Sequence, residues 1–130
     1  MNKYFSIIFL LLNVTCLAQT QAEMSQDANE LFQSADKELN DIYNQILTEY
    51  KKDKVFIDNL KKAQRIWIQF RNAELNMKFP AYPGNHYGSI QPMCRAFFLK
   101  ELTENRTETL KAWLEGIEEG DACSGSVKMK

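Results

Sequence analysis

Residues 63–75, AQRIWIQFRNAEL, form an apolar stripe at helical spacing, yet Gln64 and Arg71 stand on or beside it with Trp67 between them. Steps of three and four put these three side chains along one helix face. Two other segments repeat the layout: Thr103, Arg106 and Leu110, then Asp36, Leu39, Asn40 and Tyr43. Buried polar groups need partners, and three such helices can satisfy one another. Asn40, Gln64, Trp67, Arg71, Thr103 and Arg106 are therefore read as a structural polar network rather than a ligand site.

Outward from this stretch, the chain reads as helix throughout. From Ser25 to Tyr50 the apolar residues Ala28, Leu31, Phe32, Ala35, Leu39, Ile42, Tyr43, Ile46 and Tyr50 recur at steps of three and four, with no Gly or Pro. Ser25 is the expected N-cap of this first helix, with Asp27 and Glu30 in its first turns. Asp53 is the expected N-cap of a second helix running to about Phe79, with Phe56, Leu60, Ala63, Trp67, Phe70 and Met77 on its apolar side. Pro80 ends it, and PAYPGNHYGS is a Pro/Gly-rich connection. Ser89 is the expected cap of a third helix, with Pro92 in its first turn and a periodic side from Met93 and Phe97 through Leu110, Trp113 and Ile117. No alternating strand pattern and no internal repeat is present. The expected fold is all-α: a small bundle of three main helices with one long Pro/Gly loop and one disulfide.

The beginning of the chain, MNKYFSIIFLLLNVTCLAQTQA, has the order of a secretory signal: Lys3, an apolar run from Tyr4 to Leu12, then small and polar residues. The run is too short for a membrane anchor, so no stable membrane insertion is expected after cleavage, which fits after Ala18 or Ala22. Residues 23–130 are then a single helical domain with one modest core, in the periplasm or secreted. A lipoprotein reading through Cys16 is weaker, because Thr15 is larger than the residue that usually precedes a lipidated cysteine. Loss of Cys16 with the signal leaves Cys94 and Cys123, an even count that in an exported protein reads as one disulfide worth roughly 3 to 4 kcal/mol. Two unpaired thiols are the alternative.

Residues 23–130 have a net charge of −2, which argues against a nucleic-acid partner. The charge is uneven: −6 over residues 23–50, +5 over 51–78 and −1 over 79–130. Either the first two helices pair through opposite charge, or an acidic side of the first attracts a cationic protein.

Catalytic chemistry is poorly provided for. The chain has a single histidine, His86, and no HExxH or CxxC spacing, so neither metal nor cofactor is expected. Acidic pairs such as Glu101 and Glu104, or Glu115 with Glu118 and Glu119, sit among lysines and read as surface charge. The protein is not expected to be an enzyme.

Three stretches, TQAEMSQDANELFQSADKELNDIYNQIL, LKKAQRIWIQFRNAEL and YGSIQPMCRAFFLKELTENRTETLKAWL, resemble the LprI-type lysozyme inhibitor N-terminal domain family of small exported bacterial proteins. The resemblance rests on ADKELN with Tyr43, on AQ with Trp67 and Arg71, and on Cys94 followed by LT, Arg106 and Leu110. Family members commonly have cysteine where Asp27 and Leu75 stand here, so one family disulfide is absent. The resemblance implies non-enzymatic, stoichiometric binding of lysozyme. A plug for the lysozyme cleft would be a protruding loop with aromatic and polar tips, and Tyr82, Asn85, His86 and Tyr87 are the candidate partner-binding residues. The alternative is a periplasmic interaction or structural module with a non-lysozyme partner.

Overall fold

The computed structural model describes residues 2–130, with side chains from Thr20 onward. The expected signal features before Thr20, including Cys16 and cleavage after Ala18, lie outside the described side chains. Three helices follow one another up, down and up: α1 (Asn2–Glu49), α2 (Lys54–Lys78) and α3 (Gln91–Glu115). Among the described residues there is no strand, only an isolated bridge between Ile117 and Met129. Among the described residues, no helix is long and apolar enough to cross a membrane.

Ser25 does not cap α1. It lies inside the helix, because Thr20 to Met24 contain no Gly or Pro and continue the helical backbone on its N-terminal side. Asp53 caps α2 as expected: its Oδ1 accepts from the backbone N–H of Phe56 at 3.0 Å, closing the turn that begins at Tyr50. At α3 the N-cap is Ile90, not Ser89, with Pro92 in the first turn. The Ser89 hydroxyl instead donates to Gln21 Oε1 at 2.6 Å, which fastens the 79–90 connection to α1.

α3 packs far more extensively on α1 than on α2. Small side chains permit this: Ala28 and Ala35 on α1 and Ala96, Thr103 and Thr107 on α3 are all buried, and the Thr107 hydroxyl is satisfied by the Thr103 carbonyl at 3.0 Å. Below this tight seam the core widens around Leu39, Ile46, Leu60 and Leu110, with Tyr43, Tyr50, Phe56, Trp67 and Trp113 packed against it.

The inward side of α2 differs from the expected one. Leu60, Gln64 and Leu75 are its buried residues, whereas Phe70 and Met77 are 52% and 66% exposed and Ala63 is exposed. The helix is turned so that its polar pair faces the other two helices, which rotates the outer half of the stripe into solvent.

α3 ends at Gly116, whose φ of 76° reverses the chain. The tail then folds back along the helix end: Ile117 N–H donates to Lys128 C=O and Lys130 N–H to Ile117 C=O, both at 2.9 Å. The Tyr50 hydroxyl donates to Trp113 C=O at 2.9 Å, and Trp113 Nε1 donates to Ser126 Oγ at 3.0 Å.

This tail overturns the expected disulfide. Cys94 and Cys123 are both free. Cys94 lies in the first turn of α3 and Cys123 beyond its last, so the helix separates them by roughly 30 Å at 1.5 Å per residue. A disulfide needs Cα atoms within about 7 Å.

Opposite charge also does not pair α1 with α2 along their length. Among the described residues a single ion pair, Asp36 with Arg71, joins the two helices. Most of the others are local, such as Lys37–Asp41 and Lys54–Asp58, or tie α1 to α3 and the tail through Lys111–Glu38 and Lys128–Glu49.

Candidate functional site

Two sets of chemistry-bearing residues stand out, one inside the bundle and one at its end. Inside, Arg71 reaches from α2 between the other helices: its Nη1 donates to Asp36 Oδ1 at 2.7 Å and to Thr103 Oγ1 at 3.1 Å. Its guanidinium lies 5.5 Å from the Phe32 ring centroid and 5.1 Å from that of Trp67. Arg106 approaches the same indole at 5.9 Å and donates through Nε to Gln64 Oε1 at 3.1 Å. Trp67 is therefore flanked by two cations, each held in turn by a polar group of a neighbouring helix. Burial lowers the pKa of the Arg106 guanidinium from its usual value. Arg71 Nε is buried without a hydrogen-bond partner.

Of the six residues read as a network, the structure brings together Gln64, Trp67, Arg71, Thr103 and Arg106. Asn40 sits at its exposed edge: its amide donates to the backbone carbonyl of Asp36, one turn earlier, at 2.9 Å and to Asp36 Oδ2 at 3.4 Å, so it reaches the network through the carboxylate that holds Arg71. The α1 residue that meets Arg71 directly is Asp36. Charge is the signal that identifies it, because Asp36 is the carboxylate on the same face as Leu39 and Tyr43, and a half-buried guanidinium selects a carboxylate over an amide.

At the bundle end, residues 79–90 fold into an aromatic cluster rather than an open connection. Phe79 stacks edge-on against Phe98 of α3 at 6.4 Å and against Tyr87 at 5.7 Å. His86 lies 4.8 Å from both Tyr82 and Tyr87. Gly84 and Gly88, at φ 71° and 72°, supply the left-handed turns that bring the rings back together. Tyr82, Asn85 and His86 are exposed, and Tyr87 is half-buried. Desolvation raises the pKa of the Tyr87 phenol, Tyr82 reinforces the shift and Arg95 opposes it.

The cluster walls a cavity of about 560 Å³ that also draws on Asn76 from α2 and on Gln91 and Arg95 from α3. Those three residues flank the aromatic segment on the ends of α2 and α3 and carry no motif, so nothing in the sequence singles them out. Among the described residues, no group of three or more His, Cys, Asp or Glu side chains could hold a metal.

No solved structure matches this chain. An uncharacterized protein of Rhizobium meliloti (strain 1021) is 31% identical over 112 residues, covering 78% of each chain. The family model described as lysozyme inhibitor LprI matches residues 16–110, a span that includes all of the interhelical polar network and the aromatic loop. On that match, the chain belongs to the LprI lysozyme inhibitor family.

Proposed function

We propose that this protein is exported through residues 1–22 and acts outside the cytoplasm as a non-catalytic inhibitor that binds lysozyme stoichiometrically through residues 23–130. The observation that carries the reading is the family match over residues 16–110. Two features of the surface support it. Tyr82, at 54% exposure, together with Asn85, His86 and Tyr87, forms a prop of stacked rings at the end of the bundle, rigid enough to enter a cleft without a large ordering cost. The acidic stretch of α1 is the second: among the described residues, Glu23, Asp27 and Glu30 make no ion pair. An unneutralised acidic flank attracts a cationic enzyme and raises the association rate.

In this reading the loop makes contact and the interhelical polar network is scaffold. The test is a titration of the mature protein into c-type and g-type lysozyme activity assays across a salt series. Stoichiometric inhibition that weakens as ionic strength rises is expected, with Tyr82→Ala and His86→Ala each raising the inhibition constant about tenfold or more. Full lysozyme activity at micromolar excess of the protein would overturn the reading in favour of an envelope interaction module.

A further inference from the structure

The cavity at the loop end is lined by four hydrogen-bonding side chains that no other described side chain engages in a hydrogen bond. Arg95 is half-buried, yet among the described residues no carboxylate pairs with it and its side chain makes no hydrogen bond. Exposed Asn76 and Asn85 and half-buried Gln91 line the same cavity, and among the described residues their side-chain amides make no hydrogen bond. Facing these groups are the rings of Tyr82 and Tyr87, held by stacking through His86. Pockets of 300 to about 1,000 Å³ with a few convergent polar groups and aromatic walls are the usual form of a small-molecule site.

We propose that this cavity binds a sugar bearing one carboxylate. Each part of the ligand is matched by an observed group. Ring faces of Tyr82 and Tyr87 offer electron-rich surfaces against which the C–H face of a pyranose packs. Three primary amides supply both donors and acceptors, the complement of hydroxyl and acetamido groups. Arg95 supplies a planar two-pronged donor of the geometry a carboxylate takes. A single cation also selects against more highly charged ligands: no second Lys or Arg lines the cavity, so a phosphate dianion would keep uncompensated charge. The volume suits one or two sugar rings. The site shares Tyr82, Asn85 and Tyr87 with the proposed lysozyme contact, but the proposal does not rest on that contact and is measured without lysozyme.

The test is calorimetry or protein-observed NMR on the mature protein. N-acetylmuramic acid and glucuronic acid are titrated alongside N-acetylglucosamine, glucose and acetate. Both carboxylated sugars are expected to bind, and their neutral counterparts and acetate to bind about tenfold or more weakly, the ratio given by one charge-assisted hydrogen bond. Arg95→Gln is expected to abolish that preference, and Tyr82→Ala, on an exposed side chain, to weaken every sugar while leaving the melting curve unchanged. The proposal fails if neutral sugars or acetate match the sugar acids, if Arg95→Gln leaves the preference intact, or if neither sugar acid binds at about 10 mM.

Discussion

Arg71 on α2 and Asp36 on α1, 35 residues apart in the chain, meet at 2.7 Å, and the same Arg71 nitrogen that donates to the carboxylate also donates to Thr103 on α3. One guanidinium thus ties all three helices. Its side chain retains 13% exposure and that of Asp36 38%, so the pair is partly desolvated. Removal of one partner from a buried pair costs about 3 to 5 kcal/mol because the other is left uncompensated. With Asp36 still reaching solvent, Arg71→Ala is expected to cost about 2 to 3 kcal/mol in urea unfolding. An unchanged midpoint alongside lost partner binding would move Arg71 from scaffold to contact surface.

Trp67 is predicted to matter for its ring as well as its bulk. Trp67→Leu removes two cation–π contacts worth about 0.5 to 1 kcal/mol each and leaves a gap between Arg71 and Arg106. Trp67→Phe should recover part of the loss, since a phenyl face still accepts a guanidinium. Equal destabilisation by Leu and Phe would argue that volume alone is at stake.

Gly116 and Gly84 offer a matched pair. Both have positive φ, but a Cβ at Gly116 would lie 2.9 Å from the Lys128 carbonyl oxygen, whereas one at Gly84 meets nothing within 4 Å. Gly84→Ala should cost about 1 to 2 kcal/mol from backbone strain alone. Gly116→Ala should cost more and release the tail, seen as faster hydrogen exchange at Ile117 and Lys130. Equal costs at the two sites would show that the tail does not resist displacement.

The free cysteines predict that reduction is without effect on stability. Dithiothreitol should leave the melting temperature of the mature protein unchanged, and a thiol reagent should label exposed Cys123 faster than half-buried Cys94. A drop of several degrees on reduction would reinstate a bridge worth about 3 kcal/mol.

Lys111 predicts an alkaline limb in the stability profile. Its ammonium is hydrogen-bonded to Glu108 at 2.6 Å, and with the further contact to Glu38 at 3.1 Å its pKa rises above the ordinary lysine value. A raised folded pKa contributes stability that is fully present below the unfolded value, about 10.4, and lost as pH climbs through the folded one. The stability gap between wild type and Lys111→Met should therefore hold constant from neutral pH to about 10 and shrink above it. A gap that is constant to higher pH would show that the contact is packing rather than charge.

Helix content was legible because it is a local property. The three-and-four spacing of Leu39, Tyr43 and Ile46, the cap at Asp53 and the stop at Pro80 act over one or two turns. Misreadings arose where local rules compete. Ser25 and Ser89 are good caps in isolation, but an unbroken run before Ser25 continues α1, and Gln21 offers Ser89 a better partner than a helix end. Phe70 and Met77 share a plausible apolar stripe with Trp67, but periodicity alone does not give the rotation of α2 about its axis.

The sequence by itself determined three helices, their order, the turn at Asp53 and the shared face of Gln64, Trp67 and Arg71, because hydrophobic period and capping are written in neighbouring residues. Only the tertiary structure decided that Asp36 rather than Asn40 answers Arg71, that Cys94 and Cys123 stand at opposite ends of α3, and that Asn76, Gln91 and Arg95 close a cavity with the loop's rings. Those outcomes depend on how far each helix turns and slides against the next, which is set by the close approach of Ala28, Ala35, Ala96 and Thr103 across the α1–α3 seam. That fit is a property of two surfaces at once, and no single segment encodes it.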